Sequence, residues 1–131
     1  MVANRVLLDT HVAYWAITSP KRLGGKARRL IELAEVVCVS AISIAEIRIK
    51  QMSGKLAAAH DYAKAFQESG FKIADFDVES ADAISRFGSL ANHDPFDRLI
   101  LGQASATATH FITADRTILA LNPAFVIDAE L

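Results

Sequence analysis

The sequence has very little cysteine, and its one cysteine, Cys38, has no partner for an internal disulfide bond. Cys38 lies in the apolar run 36–39, so we expect a buried side chain in a reducing compartment. No apolar run reaches the length of a membrane-spanning helix, and Asp9 interrupts the N-terminal apolar segment before it is long enough for a signal peptide. These absences predict a cytoplasmic protein with no membrane segment.

Neither sign of charge is in large excess, since 14 Lys and Arg residues stand against 15 Asp and Glu residues. The charge of the whole chain therefore does not predict nucleic-acid binding. Basic residues are nevertheless concentrated in two segments, which contain Lys21, Arg22, Lys26, Arg28 and Arg29, and Arg48, Lys50 and Lys55. Such clusters are typical of a solvated helix face, and they also fit a rim that binds phosphates around an acidic centre.

Several well-known motifs are missing. The histidines show no HxH or HxxxH spacing, which leaves a zinc site without support; they are His11, His60, His93 and His110. The sequence also has no glycine-rich nucleotide loop and no GxSxG, so a nucleophilic hydrolase has little support. His11 and His93 lie near acidic residues, where contact with a substrate and an ordinary structural role are both open.

The chain is short and rich in apolar residues, which make up 52% of its 131 positions. This length predicts a single domain, 1–131, whose core buries roughly two-thirds of the unfolded surface. This apolar content is higher than a single core of this size is expected to bury. We therefore expect an interface with a second copy of the chain or with another protein.

Apolar runs alternate with helical patterns along the whole sequence, without repeats or flexible linkers. This alternation predicts an α/β fold in which a parallel sheet of about five strands has helices on both faces. The predicted strands are 5–8, 36–39, 71–74, 110–113 and 125–128. The predicted helices are 11–17, 24–35, 41–53, 58–69, 78–89, 95–108 and 116–120.

The clearest helix start is Asp94-Pro95. Asp94 can supply the capping oxygen, and Pro95 suits the first helical position. Asp97 then lies at the third position, where an acid is stabilised by the positive end of the helix dipole. This pattern favours Asp94 as a cap over Asp94 as a metal ligand.

Four acids, Asp9, Glu46, Asp97 and Asp115, stand at the edges of apolar stretches. Asp9 and Asp115 follow apolar runs that are predicted strands, and the carboxyl edge of an α/β sheet is where ligands bind. An inward carboxylate there is costly unless a cation neutralises it. The four acids together predict a site for a hard divalent metal ion.

Each acid also has a structural interpretation. Asp9 could cap the helix that begins near His11, although Thr10 could do so alone and leave Asp9 free for the cleft. Glu46 could mark the least buried stripe of an apolar helix. Asp97 could serve the helix dipole, and Asp115 could cap a short helix.

The segments LLDTHVAYW, SAISIAEI, HDPFDRLILGQA and FITADRTI, in this order, resemble the PIN domain and, within it, the VapC-like toxins of bacterial toxin-antitoxin pairs. The resemblance implies that Asp9, Glu46, Asp97 and Asp115 bind Mg²⁺ or Mn²⁺ and cleave RNA through a metal-activated water. It places Thr10 and Thr113 beside the acids as supporting hydroxyls and leaves Asp94 as a cap or outer group. Gly102 departs from the pattern, which puts the packing of its helix in question.

The resemblance further implies a homodimer and a cognate antitoxin that lays an apolar segment in a groove. The groove candidates are Tyr14, Trp15 and Ile17 of the first predicted helix, with Leu23 and the apolar residues of the third, although Tyr14 and Trp15 also suit ordinary core packing. A catalytically silent PIN-like scaffold that binds RNA or a protein is the alternative function. A phosphohydrolase is least favoured, because the segment after the first strand lacks the second acid that such enzymes normally carry there.

Overall fold

The structure, a computed structural model, describes residues 4–131. Its centre is one open sheet of five strands in the order β3-β2-β1-β4-β5, and every neighbouring pair runs parallel. The strands are β1 (Arg5–Leu8), β2 (Val36–Ser40), β3 (Lys72–Ala74), β4 (His110–Thr113) and β5 (Val126–Asp128). The predicted five-stranded parallel sheet is confirmed, with strand bounds within one residue of those expected.

The strands are connected by helices, as the alternating pattern predicts. The helices are α1 (Thr10–Thr18), α2 (Gly25–Leu33), α3 (Ala41–Met52), α4 (Tyr62–Glu68), α5 (Val78–Ala83), α6 (Pro95–Ala106) and α7 (Arg116–Ala120). Short 3₁₀ segments occupy Pro20–Arg22 and Ile84–Leu90. None of the helices among residues 4–131 is long and apolar enough to cross a membrane.

Two helices differ from the predicted bounds by more than two residues. Helix α4 begins at Tyr62 and not at residue 58, because the side chain of Asp61 caps it by accepting the Lys64 N–H. The predicted helix 78–89 stops at Ala83 and continues as a 3₁₀ segment, in which Phe87 has the non-helical angles φ −120° and ψ 49°. Gly88, which favours helix poorly, directly follows this kink.

Alternating side chains of β1 enter two separate cores, because successive residues of a strand point to opposite faces. Val6 and Leu8 pack with Phe66 and other residues of α1 to α4, whereas Leu7 packs with Cys38 and residues of α6 and α7. Helices therefore cover both faces of the sheet, as predicted. Cys38 is buried, also as predicted.

Gly102 is explained by the packing of α6 against α5. A Cβ atom at Gly102 would lie 2.8 Å from Ile84 Cγ2 and 3.0 Å from the Ser80 carbonyl oxygen. These distances are shorter than ordinary carbon contacts, so the glycine lets the two helices approach closely. The departure at Gly102 is thus a packing feature of the helix that carries Asp97.

Candidate active site

Asp9 connects the end of β1 to the start of α1 and is almost fully buried. Its Oδ1 accepts the Thr10 N–H at 2.8 Å, and its Oδ2 accepts the Thr113 hydroxyl at 2.6 Å. Asp9 is therefore the cap of α1. The expectation that Thr10 caps this helix alone is wrong, because Thr10 is already helical and its hydroxyl shares a hydrogen bond with Ser43 at 2.8 Å.

Burial dominates the ionisation of Asp9. It raises the pKa of the Asp9 carboxyl, while the hydrogen bonds from Thr113 and Thr10 lower it in part. The negative charge of Glu46 raises this pKa further, so the two carboxylates lie close enough to repel each other. A cation that binds between them would remove this repulsion.

Glu46 lies on the buried side of α3. Its residue exposure is 6%, whereas Ile49 on the same helix is 50% exposed. The interpretation that Glu46 marks the least buried stripe is therefore wrong. Its Oε2 lies 3.2 Å from Lys50 Nζ, but its buried Oε1 has no hydrogen-bond partner within residues 4–131. Buried carboxylate oxygens normally have a partner, and a metal ion would supply one here.

Asp97 and Asp115 meet around His93. The Asp115 Oδ1 caps α7 by accepting the N–H groups of Thr117 at 2.9 Å and Ile118 at 3.0 Å. Its Oδ2 lies 2.8 Å from His93 Nε2, and the Asp97 Oδ2 lies 3.4 Å from the same nitrogen. One ligand atom from each of the three side chains falls within 4.8 Å of the others, a spacing that could hold a metal ion.

The two carboxyls ionise very differently. Burial, followed by the negative charge of Asp9 and by hydrogen bonding and charge from Asp115, raises the pKa of Asp97 to about 8. Burial also opposes ionisation of Asp115, but the Ile118 N–H, His93 and Asp97 together outweigh it and leave the pKa of Asp115 below its usual value. Without a cation, the cluster thus favours a proton on Asp97 over a further negative charge.

Asp9, Asp97 and Asp115 line one open cleft of about 430 Å³ at the carboxyl edge of the sheet, together with His11, Trp15, Arg22 and Ala114. Glu46 does not line this cleft, but its negative charge raises the pKa of Asp9, which does. Of the supporting residues, Thr113 contacts Asp9 directly, Thr10 does so through its backbone, and Asp94 caps α6 by accepting the Phe96 N–H. Sequence spacing alone did not reveal that His93 contacts Asp97 and Asp115, although His93 lies four residues before Asp97.

A second cavity, of about 370 Å³, continues the cleft along α1 and the C-terminal half of α3. It shares His11, Trp15 and Arg22 with the acidic cleft and is further lined by Thr10, Tyr14, Ile47, Lys50, Lys55 and Leu56. The Arg22 guanidinium lies over the Trp15 ring at 4.2 Å. Three members of the basic segments therefore face this cavity. Leu23 does not belong to it, because its side chain is buried in the core.

An open parallel α/β sheet with carboxylates gathered at the carboxyl edge of its strands is typical of a class of α/β proteins that bind a divalent metal ion there. Within that class the chain belongs to the PIN domain family, whose model matches residues 6–122. This confirms the resemblance that the four sequence segments carry.

The known proteins that the chain resembles are consistent with its membership of this family. The chain is 31% identical over 116 residues to Ribonuclease VapC22 of Mycobacterium tuberculosis, an alignment that covers 86% of this chain and 88% of the relative. In fold it is similar to VapBC2 from Rickettsia felis bound to a promoter DNA fragment, with TM-score 0.71 and 18% identity over 95% of this chain and 98% of the other. VapBC-5 from Mycobacterium tuberculosis gives TM-score 0.65 and 20% identity over 98% and 99%.

Proposed function

We propose that this chain is a metal-dependent endoribonuclease and the toxin of a toxin-antitoxin pair. The observation that carries the proposal is the buried Glu46 Oε1, which has no hydrogen-bond partner in the part of the chain that the structure describes and lies beside a cleft lined by three further acids. The ribonuclease name of the relative and the toxin-antitoxin complexes among the similar folds support it.

The donor set suits a hard divalent ion. Carboxylate oxygens are the ligands that Mg²⁺ and Mn²⁺ take in proteins, and Asp9, Glu46, Asp97 and Asp115 supply four such groups. When bound, an ion of this kind supplies neutralising charge, lowers the pKa of a coordinated water and stabilises the leaving oxygen of a phosphodiester.

The chain itself supplies orientation. Thr10 and Thr113 hold the Asp9 carboxylate from both sides, and the Asp115 Oδ1 is fixed by the first N–H groups of α7. The Thr113 hydroxyl also accepts the Asp115 N–H at 3.0 Å, which couples the two acids. Groups that are fixed in this way lose little entropy when a substrate phosphate is positioned against them.

The basic and aromatic side chains beside the acids suit RNA. Arg22, Lys50 and Lys55 offer positive charge to phosphates, and Trp15 and Tyr14 offer rings on which a base can stack. Because this cavity is continuous with the acidic cleft, a strand that binds there places a neighbouring phosphate near the acids.

The cavity along α1 also suits a protein partner. An antitoxin segment that occupies the cavity along α1 would cover Tyr14 and Trp15 and block the path of RNA. Large apolar side chains are also exposed elsewhere, at Leu33, Ile49, Met52 and Val78, which supports an interface with a protein. The homodimer stays a prediction.

The test is RNA cleavage by purified, antitoxin-free protein with Mg²⁺ or Mn²⁺. We expect activity that EDTA abolishes and that Asp9→Asn lowers by on the order of 100-fold or more, since even groups that merely support a ligand cost roughly 10–100-fold. Asp77→Asn, which changes an exposed cap of α5, is the matched control and should cleave normally. A folded protein that neither cleaves a broad RNA panel nor binds Mn²⁺ would instead favour the silent scaffold.

A further inference from the structure

The acidic cluster also contains a partly buried histidine, His93. The proposed roles of the four acids do not explain why an imidazole lies there. It lies in the loop between the 3₁₀ segment and α6, and the exposed fraction of its side chain is 22%. Its Nε2 faces the Asp115 Oδ2 at 2.8 Å and the Asp97 Oδ2 at 3.4 Å. His93 Nε2 thus lies between two carboxylate oxygens, and neither of these oxygens caps a helix.

We propose that His93 is a protein ligand of the metal ion, which its Nε2 would hold together with one oxygen each from Asp97 and Asp115. The proposal rests on the proposed function, since it concerns the same cleft. It adds an imidazole to a ligand set that is otherwise made of carboxylates, and with it a preference among metal ions.

The spacing of the three atoms suits shared coordination. Two ligands that each lie about 2.0–2.2 Å from one metal ion, at octahedral or tetrahedral angles, are separated by roughly 2.8–3.6 Å. The two distances from His93 Nε2, 2.8 and 3.4 Å, fall in that interval. The two distances that the imidazole nitrogen makes are therefore compatible with ligands of one ion.

Each of the three residues is also anchored outside the cluster. The backbone N–H of His93 donates to the Leu90 carbonyl oxygen at 2.9 Å, which fixes the loop on the 3₁₀ segment. Asp97 is carried by the first turn of α6, which begins at the Asp94 cap, and Asp115 is fixed by its bonds to α7. Ligands that are positioned in advance in this way are typical of a built metal site.

The same distances also fit a simpler role, in which the imidazole only hydrogen-bonds the two carboxylates and orders the loop. The two roles differ in metal preference. An imidazole ligand favours Co²⁺ strongly over Mg²⁺, because Mg²⁺ takes oxygen ligands, whereas a hydrogen bond to the carboxylates supports both ions alike. A glutamine at this position keeps an N–H donor of similar reach but is a poor nitrogen ligand.

The experiment measures Mg²⁺ and Co²⁺ affinities of the full chain by calorimetry, without RNA, for the wild type, His93→Gln and His60→Gln. Trp15, the one tryptophan of the chain, lines the cleft, so quenching of its fluorescence by Co²⁺ reports binding at this place. The exposed His60 is the matched control. Circular dichroism melts establish that each variant is folded.

We expect His93→Gln to weaken Co²⁺ binding roughly 10–100-fold and Mg²⁺ binding less than threefold, with His60→Gln unchanged. Equal changes for both ions, or none, would overturn His93 as a ligand and leave the proposed nuclease intact. A wild-type protein that binds neither ion would overturn the proposed function as well. The two failures are therefore distinguishable.

Discussion

At the scale of single residues, helix capping and the proposed metal binding can use different oxygens of the same carboxylate. Asp115 uses Oδ1 to cap α7 and presents Oδ2 to the cleft. Asp9 likewise uses Oδ1 on the first N–H of α1, while its Oδ2 accepts from Thr113. The structural and functional interpretations of these acids are therefore compatible, because one oxygen fixes the orientation of the other.

Glu46 differs from these acids because it caps no helix. Hydrogen bonds to a helix N-terminus therefore do not offset the free-energy cost of burying its charge. Glu46→Gln removes a negative charge that repels Asp9 and leaves an amide of the same shape. We expect the variant to melt at an equal or higher temperature than the wild type in EDTA, since functional charges are often held against stability. We also expect it to gain less thermal stability from Mg²⁺ or Mn²⁺.

The measurement is a thermal melt with and without metal ion. Glu68→Gln is the matched control, because Glu68 also forms an i,i+4 pair with a lysine, Lys64, although in the reverse order along the helix, and is exposed. That control should lower stability by a few tenths of a kcal/mol at most and leave the metal response unchanged. A Glu46→Gln protein with an unchanged metal response would remove Glu46 from the ligand set.

Residue patterns predict which acids come together at the sheet edge better than how their side chains are held. Asp9 and Asp115 are recognisable because each follows an apolar strand. The burial of Glu46 is not recognisable, since α3 is apolar nearly all round and its periodicity does not say which side faces the core. The contact of His93 depends on how the loop before α6 approaches the exit of β4, which no local pattern determines.

At the scale of elements, the strands were predictable because each is a short apolar run with clear boundaries. The break in the helix 78–89 was not, because the change to 3₁₀ geometry arises where α5 and its continuation pack tightly on α6. Phe87, at the kink, lies against Phe125 with ring centroids 6.4 Å apart. Tertiary contact and the low helix propensity of the neighbouring Gly88 act together at this position.

The close approach of α5 and α6 makes Gly102 sensitive to substitution. Gly102→Ala improves helix propensity by about 1 kcal/mol, but the new methyl would meet Ile84 and the Ser80 carbonyl. Overpacking of this kind costs roughly 1–3 kcal/mol, so we expect a net loss of stability. Because α6 carries Asp97, we also expect weaker metal binding.

Chemical denaturation measures this loss, and Gly25→Ala is the matched control. Gly25 is also helical, yet an added Cβ would meet nothing within 4 Å. That variant should be as stable as the wild type or slightly more stable. If Gly102→Ala gained stability to the same extent, the contact between α5 and α6 would be looser than the distances indicate.

At the scale of the whole molecule, net charge and local charge act in opposite directions on RNA. The chain has a formal net charge of -1, and three acids line the cleft where the proposed function places a phosphate. Attraction to RNA therefore has to come from the few cations on the rim of the cleft, which the total charge does not reveal. This explains why composition alone did not predict a nucleic-acid partner.

The salt dependence of RNA binding tests this division of charge. With Asp9→Asn as the background in every arm, so that RNA stays intact, we expect log affinity to fall linearly with log salt concentration. Arg22→Gln and Lys55→Gln should each make the slope shallower by roughly 0.7, the value for one phosphate contact on a single strand. Arg28→Gln, which changes an exposed arginine of α2 outside both cavities, should leave the slope unchanged.

Fluorescence titration of a labelled single-stranded RNA at several salt concentrations gives these slopes directly. Lys50 is left unchanged, because its Nζ lies 3.2 Å from the Glu46 carboxylate and its loss would alter the acidic centre as well. Equal slopes in all four proteins would show that RNA does not follow the cavity along α1. An effect of Arg28→Gln as large as that of Arg22→Gln would mean that the field of the whole basic segment, and not the rim of the cleft, attracts the strand.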